Sequence, residues 1–138
     1  MKVKWKGFYC YSLTPIDERF GFEINVDFKK QKFNGFILED ELIGLTDKKV
    51  IVDGFVESDQ IHISVKYPFL FDENDDGSIL IDESKDGHEV LYIGTYNKKK
   101  DIWEGEWEVL IEQVKINNDE FELIFDRGYW QMQRVGNS

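Results

Sequence analysis

Along most of this chain apolar and polar residues alternate one for one, the two-residue period of a strand with one face buried and the other in water. The clearest stretch is 90–109, which reads as two strands joined by a short polar turn. Val90, Tyr92, Gly94 and Tyr96 alternate with Leu91, Ile93 and Thr95, and after the turn Trp103, Gly105, Trp107 and Val109 alternate with Glu104, Glu106 and Glu108. A row of Trp and Val on one face with a row of Glu on the other predicts a sheet buried on one side, as antiparallel sheets permit.

The same grammar runs before and after it. Residues 5–13 are apolar nearly throughout, with Trp5, Gly7, Tyr9, Tyr11 and Leu13 in one row and Phe8 and Cys10 in the other, which predicts a strand covered on both faces. Thr14-Pro15-Ile16-Asp17-Glu18 is turn chemistry, with Pro15 fixing its φ and lacking a donor. Phe20, Phe22, Ile24, Val26 and Phe28 then alternate with Gly21, Glu23, Asn25, Asp27 and Lys29. A tight turn near Lys30 leads to an apolar run from Phe33, after which 39–47 reads as a helical turn or a loop. Residues 50–57 and 61–67 predict a hairpin about Ser58-Asp59-Gln60, with Ile61, Ile63, Val65 and Tyr67 opposed to His62, Ser64 and Lys66. Pro68 ends it, and 72–88 is a long polar insertion. A strand from Glu104 to 116, a turn at Asn117-Asn118-Asp119 and a last strand from Phe121 through Arg134 complete the pattern.

Eight to ten strands in sequence order, joined mostly by short turns and with no helix long enough for a parallel crossover, predict one all-β domain over 1–138. A meander of that size removes its sticky edges by closing into an antiparallel up-and-down barrel. Gly35, Gly54, Gly94 and Gly105 lie inside strand patterns, where bends or bulges of coiled strands would use them. A two-sheet β-sandwich satisfies the same alternation and stands as the alternative.

In strand count and order the chain resembles the calycin group of barrels, which includes lipocalins, fatty-acid-binding proteins and avidins. In lipocalin-like barrels a tryptophan on the first strand packs against an arginine near the end of the last, and Trp5 and Arg134 stand at matching places. The lipocalin pattern Gly-x-Trp is reversed here as Trp5-Lys6-Gly7, and the literal Gly105-Glu106-Trp107 lies late in the chain. The resemblance implies a non-enzymatic protein holding a small ligand.

Composition agrees with strands: 11 Phe, 6 Tyr and 4 Trp stand in a chain without alanine. Cys10 is the single cysteine, so no internal disulfide can form, and a reducing, cytoplasmic setting is expected. No stretch approaches the roughly 18 apolar residues of a membrane-spanning helix, and no signal-peptide pattern is read, so a soluble protein without a membrane partner is expected. With 28 acidic against 17 basic residues the net charge is −11, which opposes nucleic-acid binding and keeps an outer sheet face solvated.

The sharpest local motif is 72–83. Asp72, Asn74 and Asp76 match the first, third and fifth positions of an EF-hand loop, with Gly77 at the sixth, Ser78 offering its carbonyl and Glu83 at the twelfth. The residues before it, Tyr67-Pro68-Phe69-Leu70-Phe71, are a poor entering helix. The readings are a helix-free calcium loop with Asp72, Asn74, Asp76, Ser78 and Glu83 as ligands, or an acidic solvated loop. His62 and His88 have no metal-ligand spacing, Cys10 reads as a small buried hydrophobe, and there is no Gly-x-Ser-x-Gly elbow. Most carboxylates sit opposite apolar rows, hence in solvent, so an enzyme has the least support. Phe22, Ile24, Ile63, Val65, Tyr67, Tyr92, Tyr96, Trp103 and Trp107 are expected to point into the barrel. They either line a pocket for one small apolar or aromatic ligand, oriented by tyrosine hydroxyls, or fill the barrel and leave a protein–protein interaction module.

Overall fold

The computed structural model describes residues 1–11, 19–40, 49–73, 76, 79–82, 84 and 87–135, with the backbone alone for 70–73, 79–81, 110–114 and 121–125. Where the alternation runs, strands form: β1 (Lys2–Cys10), β2 (Phe20–Lys29), β3 (Lys32–Glu39), β4 (Val50–Glu57), β5 (Gln60–Lys66), β6 (Leu70–Glu73), β7 (Ile79–Asp82), β8 (Glu89–Asn97), β9 (Ile102–Lys115) and β10 (Phe121–Arg134). Eight of them close into one antiparallel barrel in the order β1-β10-β9-β8-β5-β4-β3-β2. This is the up-and-down barrel, the general shape of a calycin, and the sandwich alternative falls. β6 and β7 pair apart from the barrel as a two-stranded sheet. The polar insertion, expected to be a loop throughout, therefore carries a hairpin of its own.

Burial follows the predicted rows. Ile24 and Val26 of β2, Ile61, Ile63 and Val65 of β5, and Trp107 and Val109 of β9 all face the core. Across the seam that closes the barrel, Trp5 of β1 stands directly opposite Arg134 of β10. The Trp5 ring meets Phe28 and Phe33 edge-on, with centroids 5.9 and 5.6 Å away. Cys10 is fully buried, as its apolar neighbours suggested.

The strand glycines are not bulges, and at Gly54 and Gly94 the missing side chain leaves room for the rings of Phe33 and Trp130. Pairing runs unbroken through Gly35, Gly54, Gly94 and Gly105, and the register of β9 and β10 shifts instead at Ile124/Phe125. Trp130 of β10, Gly105 of β9 and Gly94 of β8 form one cross-strand row, and a Cβ on Gly94 would lie 2.6 Å from the Trp130 ring. Gly128 does the same for Trp107: a Cβ there would lie 2.4 Å from Trp107 Nε1 and 1.9 Å from the Cys10 carbonyl oxygen. Both indoles keep a hydrogen bond while buried, Trp107 Nε1 donating to the Cys10 carbonyl at 3.1 Å and Trp130 Nε1 to the Glu106 carbonyl at 3.0 Å.

Gly128→Ala should consequently destabilise the barrel by about 1–3 kcal/mol, the usual range for overpacking a tight site. Urea unfolding measures it, and a loss below about 0.5 kcal/mol, typical of an unconstrained surface change, would contradict the fit of Trp107 over Gly128.

Candidate functional site

The interior of an eight-stranded barrel is just wide enough either to be filled by side chains or to hold one small ligand. In the circle of eight strands β8 is fourth and β2 eighth, so they are opposite walls. Phe22 of β2 and Tyr92 of β8 nevertheless meet edge-to-face with centroids 6.2 Å apart. Tyr92 also meets Trp130 at 5.6 Å, and Tyr9 lies against Phe22 at 6.5 Å and Trp107 at 5.9 Å. Rings thus span the barrel from wall to wall at this level.

Of the residues expected to line a pocket, Phe22, Ile24, Ile63, Val65, Tyr67, Tyr92 and Trp107 are buried inside. Tyr96 and Trp103 are half-buried beside the β8–β9 turn, where their rings pack on each other at 5.1 Å and the Tyr96 hydroxyl donates to Asp101. From there Trp103 packs against the buried cluster that holds the others.

Among the described residues one charged side chain joins the buried set, and sequence reasoning missed it. Glu39 ends the inward row Phe33, Gly35, Ile37, Glu39 of β3, directly opposite Phe22, and is 4% exposed. The Tyr67 hydroxyl, just beyond β5, donates to its Oε2 at 2.5 Å. Burial pushes the Tyr67 phenol well above its ordinary 10.0, and the Glu39 charge, then the Tyr92 and Tyr9 hydroxyls, push it the same way. Tyr92 is raised likewise, first by burial and then by Glu39. In the sequence Glu39 opens the stretch 39–47 that reads as a helical turn or a loop. The signal was its place in the β3 alternation. A carboxylate that accepts from a buried phenol can orient a hydrogen-bond donor or a cationic group.

Among the described residues no group of three or more His, Cys, Asp or Glu could hold a metal ion. Of the calcium candidates, Asp72 lies on β6 opposite Leu80, Asp76 is exposed, and Asn74, Ser78 and Glu83 lie outside the described residues, as does Gly77. His88 is exposed, and His62 faces outward with its ring stacked on Phe55 at 4.7 Å.

The outer wall carries a second feature. Leu91 and Ile93 of β8 point outward and are 40% and 47% exposed, with Phe55 of β4 exposed on the same face. Two cross-strand rows define the wall: Phe55, His62, Ile93 and Glu106, and beside it Asp53, Ser64, Leu91 and Glu108. Leu91 and Ile93 form a ridge between two hollows. One, of about 440 Å³, lies towards β9 and β10 and is bounded by Thr95, Glu106, Glu108 and Arg127. The other, of about 240 Å³, lies towards β5 and β4 and is bounded by Asp53, Phe55, His62 and Ser64.

Compared with protein-family models, with curated proteins and with solved structures, the chain matches none.

The Tyr67–Glu39 pair has a testable pH signature. A phenol raised above its unfolded value of 10.0 keeps in the native state a proton that the unfolded chain releases. Its stabilisation is full below that value and is lost as pH rises towards the folded pKa. Each such phenol makes stability fall by about 1.4 kcal/mol per pH unit there. Tyr67→Phe should cost about 1–3 kcal/mol at neutral pH, by taking a donor from buried Glu39, and flatten the alkaline decline by one phenol's share. Urea unfolding across an alkaline pH series checks both, and a slope equal to that of the native chain would contradict the assignment.

Proposed function

We propose that this chain is a non-enzymatic binding protein of calycin-like build that acts as a protein-interaction module through the outer wall of β4, β5, β8 and β9. The observation that carries this reading is the exposed Leu91–Ile93 ridge standing between two hollows. Contiguous apolar surface on an otherwise charged wall marks a place another molecule covers. An apolar centre with a polar rim is also the anatomy of a protein interface. The ring contact between Phe22 and Tyr92 supports the same conclusion from inside, since it occupies space a ligand would need. Within this wall β4, β5, β8 and β9 are each paired on both sides, so recognition there works through side chains.

A second reading is favoured by Glu39. A buried carboxylate is costly in an apolar barrel, and such groups gather at functional sites. In that reading the Glu39 end, with Tyr67, Tyr92 and Phe22, takes one small aromatic or apolar molecule bearing a donor or cationic group.

A photo-crosslinking residue placed at Ile93, compared with the same residue at Lys6 of β1 on the far wall, separates the two. The module predicts, in cells expressing the chain, a discrete protein adduct from position 93 that Leu91→Asp abolishes, and none from position 6. No adduct from 93, or equal labelling from both, would overturn it in favour of the small-ligand reading.

A further inference from the structure

Resting on the outer-wall reading, we infer that the partner is a basic amphipathic protein segment. Its apolar side chains occupy the hollows beside Leu91 and Ile93, and its Lys or Arg side chains lie along Glu104, Glu106 and Glu108.

Glu106 is the direct cross-strand neighbour of Ile93, Glu108 of Leu91 and Glu104 of Thr95, so an acidic column runs beside the ridge along its whole length. Successive members are two residues apart on one face, about 7 Å in an extended strand, close enough to repel one another within a Debye length. Little within the described residues relieves this. Glu108 has Arg127 at 3.8 Å and Glu104 accepts from Asn97 at 3.1 Å, while Glu106 is exposed and has no ion pair among the described residues. A cationic edge on the partner lowers that repulsion, and an apolar edge covers the ridge.

The opposite flank suits the same partner. Phe55 and His62, stacked and outward, offer an aromatic face to an arginine or lysine stem, and Asp53 adds a carboxylate already paired with Lys66 at 3.5 Å. Over longer range the net charge of −11 draws a basic chain and repels both nucleic acid and a second copy of this protein. Rim charges of this kind act mainly on association rate and salt dependence, while the apolar ridge holds the complex.

The probes are three synthetic amphipathic peptides with identical apolar residues and with Lys, Ser or Glu at the polar positions. Each is titrated into the full-length isotope-labelled chain while backbone amide shifts are followed. The Lys peptide should bind saturably, move amides of β5, β8 and β9, and weaken as salt rises. Ile93→Ser should reduce its affinity about tenfold, as truncation of a central apolar contact does. Glu106→Gln should reduce it severalfold and shrink the salt dependence. Both positions are exposed, so the variants should keep the native amide spectrum elsewhere.

If Lys and Ser peptides bind the ridge alike, the cationic class is overturned while the outer-wall reading stands. If no peptide moves the β8 amides, or all shifts gather around Glu39, both fall together. Concentration-dependent shifts of Leu91 and Ile93 without peptide would assign the ridge to a second copy and overturn the inference.

Discussion

Among the described residues, the core depends on aromatic rings that meet across a closed eight-stranded barrel. Phe22 and Tyr92 project from opposite walls and meet edge-to-face, and Tyr9, Trp107 and Trp130 pack around them. Edge-to-face pairs add about 0.5–1.5 kcal/mol each beyond the area they bury. Such rings fit only where the neighbouring strand gives way, which is why Gly94 and Gly105 lie in the row of Trp130 and why Gly128 lies under Trp107. Bulk and absence of bulk alternate across strands, and the barrel closes because they are complementary.

Glu39 is the exception within this apolar interior. A buried carboxylate is stabilising only when its acceptors are met, and the Tyr67 hydroxyl meets one of them. The pair links the end of β3 to the segment just after β5, bridging across β4 at one end of the barrel. Geometrically it is a clamp, and chemically it is a hydrogen-bonding site already occupied by the chain's own phenol. On the outside the balance is reversed: Leu91 and Ile93 are apolar groups left in water beside carboxylates.

Much of the fold was legible because two-residue alternation reports which face is buried. The Trp103, Gly105, Trp107, Val109 row with its glutamates on the opposite face specifies the register of β9 almost without help, and β2 and β5 read equally well. The site was less legible, for three physical reasons. In β8 both rows are largely apolar, so alternation alone separates them weakly, and the inward place expected for Tyr92 rests on its pairing with Ile63 and Trp107. Glu39 continues an inward row, but the acidic residues that follow, Asp40 and Glu41, make it look like the start of a loop. Tyr96 and Trp103 belong to the inward rows yet sit beside a turn, where the barrel ends and a row no longer guarantees burial. Contacts across the barrel, such as Phe22 with Tyr92, depend on strand order and tilt, which no local pattern encodes.

The central claim is that the barrel is filled by its own rings and works from its outer wall. Intrinsic tryptophan emission tests it most directly, because Trp107 and Trp130 are buried among those rings and report any molecule that enters. Titration of the native chain with small aromatics and fatty acids should leave the emission without a saturable change. A saturable quench that is lost on replacing Tyr92 with alanine, in a variant that still folds, would mean that the interior opens to a ligand and would contradict the account.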